Sequence, residues 1–128
     1  MLLAGEIDAA IIPGKIEDPR LRPLIPDHAK AAAAWAARHG AMQVNHLIAV
    51  KGSLSREHPA VIEEIYRLAK AAKAKIPAAS EGRDPLPFGF TAVRPSLTVA
   101  LDYAFQQRLI PRRFAVEELF DDLTRTLE

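Results

Sequence analysis

His46 and Arg94 are the two side chains of this sequence best suited to chemistry, and each also has an ordinary structural reading. His46 follows Asn45 at the mouth of an apolar run, residues 44–50 (VNHLIAV). An imidazole there can donate a hydrogen bond or a proton near neutral pH. The alternative is a core histidine held by a backbone carbonyl. Arg94 carries a guanidinium fork that matches a carboxylate with two parallel hydrogen bonds. It could equally pair with Asp84 or Asp102, or lie solvated ahead of Pro95. Gly89, in the loop 87–94 (PFGFTAVR), would let the backbone approach a ligand closely or would simply serve a turn.

The remaining candidates point elsewhere. His28 and His39 are separated along one expected helix by about 16 Å at 1.5 Å per residue, so they cannot share a metal. No metal and no cofactor is expected, because the chain has no cysteine pair, no His-x-x-x-His and no glycine-rich phosphate loop. Arg108, Arg112 and Arg113 lie close to the acids of the last helix and read as a solvated ion-pair face. Lys+Arg 17 against Asp+Glu 16 leaves a net charge of +1, which gives no electrostatic case for nucleic acid or an anionic membrane. With 49% apolar and 26% charged residues, the 128 residues have globular composition. The N-terminus has acids and no basic region, so it does not read as a signal peptide, and a cytoplasmic location is expected.

The elements that would position these groups are legible from periodicity. Residues 7–12 (IDAAII) and 44–50 are short β-branched apolar runs that suit buried strands, with a further short strand at 21–25. Four prolines between 13 and 26 mark a connector. Asp27 is a plausible cap for an alanine-rich helix over 27–39, closed by Gly40. A short helical segment ends near His58, and Pro59 opens a long helix to about residue 75. Its expected buried stripe is Val61, Ile65, Leu68, Ala69, Ala72 and Ile76, with Glu63, Glu64, Arg67, Lys70 and Lys73 opposite. A polar loop follows at 77–87. Pro95 is expected to open a helix over 95–109, and a last amphipathic helix is expected over 115–127.

The order of these elements, with several local motifs, resembles the 4,5-dihydroxyphthalate decarboxylase family. Residues 5–10 (GEIDAA) are similar to a Gly-x-[Ile/Val]-Asp-Ala motif of type 2 periplasmic binding proteins. Residues 40–50, followed by Glu57-His58-Pro59, resemble that family's histidine strand and His-Pro helix start. Phe88-Gly89 with Arg94 resembles its Tyr-Gly loop and arginine, and residues 107–120 resemble its C-terminus. The resemblance covers nearly the whole chain. Phe88, Arg108 and Ala115 stand where the family tends to have tyrosine, glycine and a capping Ser or Thr.

The resemblance implies an α/β fold, the back half of a two-lobed type 2 periplasmic-binding-protein-like architecture. Residues 1–43 would end the second lobe and form the connector, and 44–128 would supply the hinge strand and first-lobe helices. It implies non-oxidative decarboxylation of a hydroxylated aromatic acid, a lyase reaction. His46 would be catalytic, and Asn45, Gly89 and Arg94 would hold a small aromatic carboxylate. Family chains are more than twice as long, so the isolated chain is expected to be inactive. Two rival readings are a solute-binding module for a small organic anion, and an incomplete chain. The incomplete chain's apolar faces would pair with a second copy or with a missing N-terminal lobe.

Overall fold

The computed structural model describes residues 1–12, 14, 17–76, 84 and 86–128, and among these the protein is entirely helical. Most of the expected loop 77–87, and Pro13 of the connector, lie outside the described residues. The elements are α1 (His28–His39), α2 (Gly52–Glu57), α3 (Pro59–Lys73), α4 (Phe90–Gln106), a 3₁₀ turn (Val116–Leu119) and α5 (Asp122–Thr126). No described helix is long and apolar enough to cross a membrane.

The expected α/β architecture is therefore corrected. None of the runs 7–12, 21–25 and 44–50 forms a strand. A β-branched run becomes a strand only when a neighbour satisfies its backbone groups. Residues 43–50 belong to no helix or strand and are exposed, and they make no hydrogen bond to another described residue. With no sheet among the described residues, the expected run 44–50 is not a hinge strand and the sheet-cored fold is not supported.

The chain divides into two compact units, Met1–Trp35 and Ala36–Glu128, and the division falls within α1. In the first unit, Met1 to Glu6 is a hydrogen-bonded turn with Gly5 at φ +70°. Arg20 forks onto Asp18 and donates to the Leu3 carbonyl at 3.1 Å. α1 buries none of its residues, so it stands on the helix propensity of its alanines.

The second unit holds a small core of Ala41, Ile62, Leu97 and Val116 with the polar Ser55 and Ser96. α2 packs on α3, and α4 packs on the 3₁₀ turn and α5. The Met42 N–H donates to the buried Ser96 Oγ at 2.9 Å, which fixes the chain leaving α1 against α4. Within α3 the structure overturns the expected face. Ile62 is buried and Tyr66 and Ala69 are half-buried, whereas Val61, Ile65 and Leu68 are 46%, 44% and 52% exposed. The two stripes lie about 100° apart, so the more apolar one is left facing water.

α4 begins five residues before Pro95, which sits inside the helix where its ring removes one backbone bond. The tail explains the extension: Phe90 N–H donates to the Leu127 carbonyl at 3.3 Å, and Thr91 N–H donates to the Glu128 carboxylate at 3.3 Å. Phe90 also meets the Phe120 ring edge-on at 5.1 Å. The last expected helix is broken at the extended Phe120, because Asp121 caps a new helix by accepting from Thr124 N–H at 2.8 Å.

Candidate functional site

The side chains singled out in the sequence fall into two groups within the second unit. Gly89 and Arg94 belong to the start of α4. Gly89 precedes the helix with φ +93°, a conformation that disfavours any side chain. A Cβ there would also collide with Glu128, whose Cα would lie 3.0 Å away. The close approach at Gly89 is thus made by the protein's own tail.

Arg94 is well over one turn further on and already holds a carboxylate. Its guanidinium meets Glu117 at 2.7 and 2.9 Å. The Glu117 carboxyl is held below its ordinary value by its own backbone N–H first and by Arg94 second. Beside this pair lies an open cavity of about 240 Å³, lined by Arg94, Leu101, Asp102, Arg113, Phe114 and Glu117 among others. Arg113 pairs with Asp102 at 3.0 Å. Both arginines that could receive an anion in this cavity are therefore answered by carboxylates of the same chain.

The basic cluster behaves as an ion-pair face. Arg112 forks onto Glu118 at 2.7 and 3.0 Å and stacks on Phe114 with its guanidinium 3.9 Å from the ring centre. Glu118 also accepts from Ala115 N–H at 2.8 Å, and Arg112 with this bond lowers its pKa to about 2. Asp121 is likewise lowered to about 2 by the Ser55 hydroxyl facing it and by Thr124. Ser55 Oγ lies outside hydrogen-bond geometry, so the Thr124 bonds at 2.7 and 2.8 Å fix this carboxylate.

Asn45 and His46 stand apart from these groups, on the exposed run 43–50. Neither makes a hydrogen bond to another described residue, and neither lines the cavity beside Arg94. Among the described residues, no group of His, Cys, Asp or Glu could hold a metal ion. Sequence reasoning missed Glu117, Thr91 and Glu128. The first partners Arg94 across 23 residues and leaves no local signal. The Asp121–Thr124 box was visible as a capping pattern inside the run assigned to one helix.

No family model, curated protein or solved structure matches the chain. With no sheet among the described residues and no match in any comparison, the resemblance to the decarboxylase family is corrected. The lyase reaction and the solute-binding alternative are corrected with it, since both required a cleft between sheet-cored lobes. What the second unit offers instead is an uncovered surface. It includes the exposed stripe of α3 and, separately, the segment 43–50, in which Leu47 and Ile48 are 60% and 79% exposed.

Proposed function

We propose that this chain is an association module, whose exposed apolar surface and exposed segment 43–50 are covered by another polypeptide. The observation that carries the reading is the inverted face of α3. A helix whose strongest apolar stripe faces water, while a weaker one faces its own core, gains by burying the former elsewhere. Residues 43–50 support it independently. Eight exposed residues with no backbone partner among the described residues, three of them β-branched, form a template for strand addition. The paired arginines agree, because a surface whose charges are internally neutralised does not oppose a close-packed partner.

Sedimentation velocity across a concentration series, with binding of an apolar fluorescent dye, tests the reading. The chain is expected either to self-associate or to bind the dye strongly. A monomer at tens of micromolar that binds no dye would overturn it.

A further inference from the structure

We infer that α3 pairs antiparallel with α3 of a second copy, through the apolar stripe that its own core leaves uncovered. This pairing rests on the association reading above and names its partner. At about 100° per residue, Val61, Ile65, Leu68, Ala72 and Ile76 stay within about 80° of arc. They run for about 22 Å along α3 and the turn that continues it, in which Ile76 N–H donates to the Lys73 carbonyl. All five are exposed, and no charged residue interrupts them. Ile62 and the half-buried Ala69 border them on the flank that meets the core.

Charge complementarity on the opposite flank selects a second copy as the occupant. The charged residues that border the stripe there are Glu64 and Lys75, one toward each end. A two-fold axis beside Leu68 sets Leu68 against Leu68, Ile65 against Ala72 and Val61 against Ile76. It also keeps the solvent flanks of both helices on one side. Glu64 of each copy then lies about 3 Å along the axis from Lys75 of the other, within reach of its long side chain. The Lys75 ammonium makes no ion pair with a described residue. Glu64 holds Arg67 of its own helix at 2.6 and 2.7 Å, and its carboxylate keeps lone pairs for a second cation. A parallel pair would instead turn Glu64 and Lys75 toward the uncharged Ile62 and Ala69 of the other copy. Five apolar positions per copy make a small interface, so the dimer is weak and forms at roughly tens to hundreds of micromolar.

Sedimentation of charge-exchanged variants over that concentration range tests the pairing. Each of Glu64→Lys and Lys75→Glu should weaken the dimer about three- to tenfold, since each turns two symmetric attractions into repulsions. The two together should restore it. Ile65 is exposed in the single chain, so Ile65→Asp should leave helical circular dichroism unchanged. It should raise the dimer dissociation constant at least about tenfold by placing two carboxylates in the apolar contact. The chain has no cysteine, so Leu68→Cys places a single thiol beside the axis. Mild oxidation should link it at least about ten times faster than a control thiol at Glu63→Cys, on the far face of α3. A dimer that ignores Ile65→Asp, that the double exchange does not restore, or that links at Leu68→Cys no faster than the control overturns this pairing and leaves the association reading intact. A dye-binding monomer does the same, whereas a monomer that binds no dye removes both.

Discussion

Glu128 closes the N-terminus of α4 through Thr91, accepting from its Oγ1 at 2.7 Å and from its N–H at 3.3 Å. Two residues 37 positions apart thereby do what a local cap does elsewhere, since Gly89 provides no side-chain cap. The carboxylate also sits where the helix dipole favours negative charge. Replacing Glu128 with alanine should cost about 1 kcal/mol in urea unfolding, while Glu128→Gln, which keeps an acceptor, should cost less. Amide exchange in residues 90–94 should rise in the alanine variant before it rises elsewhere.

Arg108 follows α4 with φ +60° and closes a Schellman motif. Its N–H donates to the Phe105 carbonyl at 3.0 Å, and Leu109 N–H donates to Ala104 at 2.8 Å. A side chain in the left-handed region is unfavourable by about 1–2 kcal/mol, which glycine avoids at a smaller entropic cost. Arg108→Gly should therefore stabilise the protein by up to about 1 kcal/mol. The denaturation midpoint should move upward with its slope unchanged.

Acid should weaken the C-terminal region before it weakens α3. Glu118 has its folded pKa depressed from 4.5 to about 2, and Asp121 from 3.8 to about 2. A depressed carboxyl contributes stability that is fully present above its unfolded pKa and is lost as pH falls through the folded value. The loss should thus run from just above pH 4.5 down to about 2. Glu118→Gln should flatten the acid limb of a stability–pH curve and leave the neutral region little changed in slope. An unaltered acid limb would remove Glu118 from this account.

Two leucines should separate folding from association. Leu97 is 3% exposed, and Leu97→Ala should cost roughly 2–5 kcal/mol through lost packing. Leu47 is 60% exposed, so Leu47→Ala should leave the unfolding of a dilute sample nearly unchanged. Thermal melts at low concentration check both.

The sequence by itself determined whatever depends on neighbours within a turn or two. Alanine propensity sets α1, Pro59 starts α3, and Glu64 and Arg67 pair along it at 2.6 Å. The left-handed turn after α1 was legible from Gly40, which has φ +58°. Periodicity also gave α3 its apolar stripe, but it could not say which flank of the helix would meet the core.

Only the tertiary structure decided the rest. α4 extends back past Pro95 because Leu127 and Glu128 satisfy amides that no local residue could reach. Arg94 holds Glu117 rather than Asp84 or Asp102, because the 3₁₀ turn packs against α4. The runs 7–12 and 44–50 have strand composition and no strand, since β structure is made between segments and these segments have no hydrogen-bonded partner strand among the described residues. Helix signals are local because each backbone bond closes within four residues, whereas strand signals only record a readiness to pair.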